Sequence, residues 1–210
     1  MATRTLTPEE IAATALELVN RDGLEALSMR RLADELGVGT MTLYGYFRSK
    51  ADLLDALMDA SVTVTEADLP SEGPWRERIV ALAHTMRDWL ESHPALVQVR
   101  MQQTLTRPRQ FVVTERVVQA LIDAGLDKAE AARAFRVLFT YVFGSVAFSP
   151  SATADSARRE VRAALATLTP DEYPLLATMA DEAAAAAAGD EQFAFGLELI
   201  LDGIEARAAG

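Results

Sequence analysis

The chain has 210 residues, half of them hydrophobic, with a formal net charge of −11 and no cysteine. That length supports a sizeable buried core, and the apolar fraction excludes an intrinsically disordered chain. The missing thiols exclude disulfides, thiolate metal sites and cysteine nucleophiles, and the acid excess taken alone argues against nucleic acid, whose phosphates repel it.

Helical signals follow one another from the N-terminus. Thr7-Pro8-Glu9-Glu10 reads as a helix start: Thr7 caps, Pro8 suits the first turn and Glu10 closes a capping box. Ile11, Ala15, Leu18 and Val19 repeat at helical spacing until Arg21-Asp22-Gly23 stops the run. Ser28 caps a second, short helix with Leu32, Ala33 and Leu36 inward and Gly37 at its end. A third short helix spans 40–46. Ser49 caps a fourth, over 50–64, with Leu53, Leu54, Leu57 and Met58 apolar. Pro70 and Gly73-Pro74 mark a break. Helical patterns then run over 75–92, 95–103, 108–124, 128–148, 156–168, 171–186 and 190–207. Period-two alternation is rare, so the expected fold class is all-α. The stretch 149–190, broken by Ser, Thr and Pro and carrying the alanine run 183–188, reads as a mobile excursion that buries little.

Charge is unevenly placed along these elements. Residues 1–50 carry six Lys/Arg against seven Asp/Glu, whereas 51–210 carry fourteen against twenty-four. Within 28–50 the balance reverses, with Arg30, Arg31, Arg48 and Lys50 against Asp34 and Glu35. This basic island coincides with two short helices joined by Gly37-Val38-Gly39, the spacing of a helix-turn-helix. In that motif the second helix enters the major groove and the first crosses the backbone. Leu32, Ala33, Leu36, Val38 and Leu43 would hold the pair together. Arg30, Thr40, Thr42, Tyr44, Tyr46 and Lys50 are the polar groups available to DNA. A cation at the start of the fourth helix opposes the helix dipole by about 0.3–1 kcal/mol. Helix stability does not account for Lys50, and a phosphate docked at that terminus does.

Residues 9–58, above all LSMRRLADELGVGTMTLYGYFRSKADLLDAL, resemble the DNA-binding domain of the TetR (tetracycline-repressor-like) family of transcriptional regulators. The resemblance rests on the LA-x-x-LGV turn from Leu32 to Val38, the TLY core from Thr42 to Tyr44, and the Y-F-x-S-K-x-x-L run from Tyr46 to Leu53. Thr106-Arg107-Pro108 and residues 195–205 are similar to the C-terminal domain of the tetracycline repressor. The resemblance implies a helix-turn-helix domain over 1–50 and a helical ligand-binding and dimerisation domain over 51–210, which includes the connecting helix 50–64. It implies DNA contacts from Ser28, Met29 and Arg30 at the start of the second helix. Gly39, Thr40, Met41, Thr42, Tyr44, Gly45 and Tyr46 would contribute around the third, and Lys50 beyond it. Gly39 and Gly45 stand where relatives often carry larger side chains, so base readout is expected to be sparse, with Met41 available to a thymine methyl. A homodimer is implied through helices near 128–148 and 190–207, both apolar on more than one side, with Gly144 and Gly196 permitting close approach.

The same resemblance implies an effector pocket, but not one for a tetracycline–magnesium chelate. The positions of the chelating histidines are occupied here by Val64, Gln103 and Thr140. A mostly apolar small molecule is expected, touching Leu82, Met86, Phe139 and Phe143 and gripped by Gln103, Arg107 and Gln119. The expected partners are double-stranded operator DNA, a second copy of the chain and this effector, with no membrane, metal or cofactor. His84 and His93, nine residues apart, lie off the spacing that pairs ligands on one helix face. No G-x-S-x-G, P-loop or H-E-x-x-H motif occurs, so no enzyme is expected. A cytoplasmic protein is expected, because MATRTLTPEE lacks the apolar core of a signal peptide and no membrane-length apolar run occurs. The competing reading is a DNA-binding regulator without a small-molecule effector.

Overall fold

The computed structural model describes residues 6–61, 69–102, 111–148 and 153–209, and every regular element among them is helical. In chain order these are α1 (Pro8–Asp22), α2 (Met29–Leu36), α3 (Thr40–Tyr46), α4 (Lys50–Ser61), α5 (Trp75–Ser92) and α6 (Pro94–Gln102). There follow α7 (Val112–Asp123), α8 (Lys128–Ala147), α9 (Ala154–Leu165), α10 (Ala180–Ala185) and α11 (Asp190–Ala208). No helix among the described residues is long and apolar enough to cross a membrane. The chain divides into two units, Met1–Asp123 and Ala124–Gly210.

The first unit is built from the caps read in the sequence. Thr7 Oγ1 accepts the Glu10 N–H at 3.2 Å, and the Glu10 carboxylate accepts the Thr7 N–H at 3.0 Å. Ser28 Oγ accepts the Arg31 N–H at 3.2 Å. Gly37, at φ 68°, ends α2 in a Schellman motif: Val38 N–H donates to Ala33 O and Gly37 N–H to Asp34 O. That left-handed turn is what lets α3 start within three residues of α2. Ile11, Leu18, Leu32 and Leu43 from α1–α3, with Phe47 just after α3, join Leu53, Leu54 and Leu57 from α4, and Leu96 and Val99 from α6, in one buried cluster. Each fully buried leucine contributes about 1.5–3 kcal/mol. The core of the short helices therefore continues beyond residue 50, and a shift of α4 or α6 must be felt by α1–α3.

Elsewhere in this unit α5 packs on α7 around a buried cation. Arg78 lies on the same stripe as Ile79 and Leu82 and is buried with them. Its Nη2 donates to Asp123 Oδ2 at 2.5 Å and its Nη1 to the Ser71 carbonyl at 3.4 Å. Gln119 Nε2 donates to Asp123 Oδ1 at 2.9 Å. The hydrogen bond from Arg78, then that from Gln119, hold the Asp123 carboxyl below its usual range. A buried guanidinium is tolerable only with such a partner.

In the second unit α8 and α11 pack through Tyr141, whose hydroxyl donates to the Phe193 carbonyl at 2.7 Å while its ring stacks on Phe193. The Tyr141 ring also lies directly on Gly196, where an added Cβ would collide with it. The space expected at Gly196 for a second copy is thus filled by this chain's own tyrosine. At Gly144 a Cβ would meet only the edge of Phe148, at an ordinary 3.9 Å.

Two expectations for 149–190 are corrected. Residues 171–186 do not form one helix: a 3₁₀ turn at Leu176–Thr178 and the short α10 replace it. Pro174 has no N–H to donate and disfavours helical geometry at Tyr173. The Thr178 hydroxyl then donates to the Leu175 carbonyl, competing with the helical ladder. The alanine run also buries more than expected. Ala184 on α10 is fully buried, as is Ala157 on α9, and Arg162 pairs with Asp181 across the two helices at 2.7 Å. Small side chains allow this close helix pairing.

Candidate nucleic-acid interface

Leu43, fully buried, sets the inward direction of α3. At about 100° per residue, Met41 and Gly45 point roughly 160° away from it, Thr42 and Tyr44 about 100°, and Thr40 and Tyr46 only about 60°. Exposure follows this order: Met41 is 80% exposed, Tyr44 46% and Tyr46 36%. The outermost surface of the helix is therefore one methionine, one phenol and a bare backbone at Gly45. An added Cβ at Gly45 would meet nothing within 4 Å. Gly39 N-caps α3 in an extended conformation without a side-chain hydrogen bond.

The flanking groups divide by partner. Ser28 is exposed and, while accepting from Arg31, keeps its own O–H to donate. Met29 is buried in the core, so its backbone N–H in the first turn of α2 is the group it can offer an anion. Arg31 is bound to Asp22 at 2.6 Å, and Arg21 forks onto Glu35 at 3.0 and 3.2 Å. Hydrogen bonding and charge from Arg21 hold the Glu35 carboxyl below its usual range, while hydrogen bonds to Glu35 and then Asp22 push the Arg21 guanidinium above its own. These pairs join α1 to α2 and remove Arg31 from the basic island. Arg30, Arg48 and Lys50 remain exposed. The Arg48 side chain reaches solvent with only a 4.0 Å approach to Asp52, and Lys50 is the first residue of α4.

One residue departs from its expected use. The Tyr46 hydroxyl donates to the carbonyl of Leu6, forty residues earlier, at 2.9 Å. Leu6 itself is buried in the core of the short helices.

The effector residues expected from sequence are spread over both units. Leu82 is fully buried on α5 and Met86, one turn on, is half-buried. Gln119 on α7 is exposed and spends its amide N–H on Asp123. In the second unit Phe135, Phe139 and Phe143 form a column along α8 with centroids 6.1 and 5.6 Å apart, and the Arg136 guanidinium lies 5.7 Å from the Phe139 ring. Gln103, Arg107 and Val64 lie outside the described residues. Among the described residues no three His, Asp or Glu side chains converge as metal ligands. His93 stacks on Trp89, with its Nδ1 2.8 Å from the Trp89 carbonyl.

Sequence reasoning missed Arg78, Tyr141 and the Tyr46–Leu6 bond. For Arg78 a signal was present: a cation interrupting the apolar stripe of α5. The other two join residues about 40 and 52 positions apart, at a range no periodicity records.

Two short helices about a left-handed glycine, with an uncharged outer face flanked by three cations, define a helix-turn-helix DNA-binding module within a larger helical chain. Residues 11–57 match the family model described as bacterial regulatory proteins, tetR family, and residues 68–208 match that of the tetracyclin repressor-like C-terminal domain. The chain belongs to the TetR family of transcriptional regulators. It is 32% identical to the HTH-type transcriptional repressor DrrR1 of Streptomyces coeruleorubidus, over 98% of this chain and 79% of that one. Its structure is similar to that of the TetR family protein ActR of Streptomyces coelicolor in complex with actinorhodin, with a TM-score of 0.85 at 29% identity, covering 96% of each chain. It is also similar to BioQ with its double-stranded DNA operator, with a TM-score of 0.67 at 26% identity, over 96% of this chain and 99% of that one.

Proposed function

We propose that the chain is a homodimeric repressor, working in the cytoplasm, that binds operator DNA through residues 1–50 and is released by a mostly apolar small molecule held within 51–210. The observation that carries the DNA half is the outer face of α3, with Met41, Tyr44 and Gly45 outermost and Arg30, Arg48 and Lys50 around it. Met41 is the group for a thymine methyl, and the backbone at Gly45 approaches the groove floor. Ser28, Arg30, Thr40, Thr42, Tyr44 and Lys50 serve the phosphates, with backbone N–H groups from Met29 and Gly39. The acidic remainder of the chain makes non-specific affinity weak and specific binding strongly dependent on dimerisation.

Dimerisation is supported by large apolar side chains left exposed among the described residues. Phe195 and Leu199, one turn apart on α11, are 60% and 58% exposed, and Val137 on α8 is also exposed. Their opposite faces, with Phe193, Leu197 and Leu201 on α11 and Leu138 and Val142 on α8, are buried. A helix apolar on two sides needs a second partner. Two recognition helices would then sit one DNA turn apart, about 34–36 Å.

Effector binding is supported by the half-buried aromatic column of α8 and by the resemblance to a relative solved with actinorhodin. Leu82, Met86, Phe139 and Phe143 offer apolar contact, and Gln103, Arg107 and Gln119 offer polar anchors. The ligand selects a state in which α4 has moved, and the shared core of α1–α4 and α6 passes that shift to α3. Coupling of this kind amounts to about 1–3 kcal/mol and is reciprocal.

The test begins with duplexes selected by the protein from a random pool. Specific, dimer-stoichiometric binding is expected, and a protein that selects no sequence at any salt refutes the repressor. Compounds that raise the melting temperature are then added to the complex. Release by at least one is expected, with ligand affinity lower in the presence of operator. Stabilising compounds that bind equally with and without operator would leave a DNA-binding regulator without an effector.

A further inference from the structure

We propose that Met41 is an oxidation site through which hydroperoxides switch off operator binding, by turning its thioether into a sulfoxide on the face that meets DNA. The inference rests on the reading of α3 as the recognition helix. Met41 is 80% exposed and points about 160° away from the buried Leu43. Nothing in the fold requires a methionine there. Its side chain lies outside the buried core of the short helices and takes no part in capping α3.

Its surroundings leave the sulfur open to reagents. On a helix, side chains three and four positions apart are neighbours and cover one another. Four positions on from Met41 stands Gly45, which has no side chain. A Cβ built at Gly45 meets nothing within 4 Å, so that flank of the thioether is bare backbone. The other methionines differ. Among the described residues Met29 and Met58 are buried and Met86 is half-buried. Met101 and Met179 are exposed, but the first is on α6 and the second just ahead of α10, outside the helix pair. The chain has no cysteine, so no thiol of its own competes for the oxidant.

The chemistry is a two-electron oxygen transfer from a hydroperoxide. The Met41 sulfur lone pair attacks the peroxide's hydroxyl oxygen, and the S–O bond forms as the O–O bond breaks. The proton of the attacked oxygen passes to the departing one, which leaves as water or an alcohol. Sulfur is oxidised, the peroxide is reduced, and the protein gains no charge. What changes is polarity. A thioether against a thymine methyl buries apolar surface on both sides. A sulfoxide brings a strong acceptor into that contact, and the methyl has no proton to donate to it. The duplex in turn covers the sulfur, so the site is reactive in the free protein and shielded on the operator.

The test treats the full-length protein with hydrogen peroxide, quenches it, maps oxygen addition by peptide mass spectrometry and measures affinity for a selected duplex by fluorescence anisotropy. The variants are Met41→Leu and the double Met101→Leu/Met179→Leu, each compared with its own untreated affinity. In the wild type and the double variant, affinity should fall at least about fivefold in step with Met41 sulfoxide, the loss of about one base contact. The salt slope should not change, because no charge is altered, and the Tm should hold because the core is untouched. Met41→Leu should keep its own affinity through the same treatment, and methionine sulfoxide reductases should restore the oxidised wild type. Operator added before the peroxide should slow oxidation at Met41 and leave Met179 as reactive as before. Affinity unchanged at full conversion of Met41, an equal loss in Met41→Leu, or a loss that follows a falling Tm would overturn the proposal. Selective binding without protection of Met41 would overturn it too, since the sulfur would then not lie on the duplex. The recognition-helix reading fails separately, and the proposal with it, if the untreated protein selects no duplex.

Discussion

Replacing Gly45 by alanine should make the protein more stable and a poorer DNA binder. Glycine inside a helix costs about 0.5–1 kcal/mol relative to alanine, through the backbone freedom lost on folding. The usual reasons to retain it do not apply in the isolated chain. Gly45 has no positive φ, unlike Gly23 and Gly37, and an added Cβ meets nothing within 4 Å. The expected gain is about 0.5–1 kcal/mol, reduced toward the lower figure because Tyr46 follows as the last residue of α3. For a chain of this size that is a rise in Tm of about 1–4 °C. On DNA the sign reverses. Gly45 points about 160° from the core, so its backbone is placed to approach the duplex most closely, and a methyl there forces the helix outward. An affinity loss of at least about fivefold is expected, equivalent to about 1 kcal/mol. The salt slope should not change, because no charge has been altered. Circular dichroism melts and anisotropy titrations on a selected duplex supply the two numbers. Unchanged affinity would refute close approach at Gly45, and a lower Tm would show that the glycine serves the fold.

Other predictions follow from particular contacts. Lys50→Ala removes a cation from the N-terminus of α4, so it should raise stability by about 0.3–1 kcal/mol while lowering the salt slope by about one unit. An unchanged slope would leave no phosphate role. Asp123→Asn leaves the buried Arg78 guanidinium short of its counter-charge and should cost about 1–3 kcal/mol at pH 7. The Asp123 carboxyl is depressed in the folded state, so its contribution is present above the ordinary value of 3.8 and is lost as pH falls through the lower folded-state value. Urea melts should therefore show the gap between wild type and variant closing below pH 3.8. Gly196→Ala should destabilise by about 1–3 kcal/mol by driving a methyl into Tyr141, with partial relief from Tyr141→Phe, whereas Gly144→Ala, whose added Cβ meets only the edge of Phe148, should stabilise by about 0.5–1 kcal/mol. Leu199→Glu alters an exposed apolar site and should convert a dimer to monomer in light scattering without unfolding it. A persistent dimer would move the interface elsewhere.

Much of the helical framework was legible because it is written in short-range chemistry. The Thr7 box, the Ser28 cap and the Gly37 turn each depend on residues within about four positions, and each is present as read. The bounds of α3 and α5 coincide with their sequence patterns for the same reason, since apolar spacing and caps agree. Reading failed over 171–186, where alanine-rich propensity and a proline pointed in opposite directions and Pro174 prevailed. Gly196 was misread because a glycine on an apolar helix announces a close neighbour without saying which one.

The sequence by itself determined that the chain is helical, that a short helix pair near the N-terminus is mildly basic within an acidic protein, and that it resembles the TetR family. These are properties of composition, local periodicity and motif spacing. Only the tertiary structure decided which of the island's cations are available. Arg31 is taken by Asp22, which leaves Arg30, Arg48 and Lys50. It alone showed that Tyr46 turns to Leu6, and that α4 and α6 share the core of the recognition module. The physical reason is range. Caps and periods act over a turn or two of chain, whereas the partner of a charge or a hydroxyl is whatever folding brings within about 3 Å.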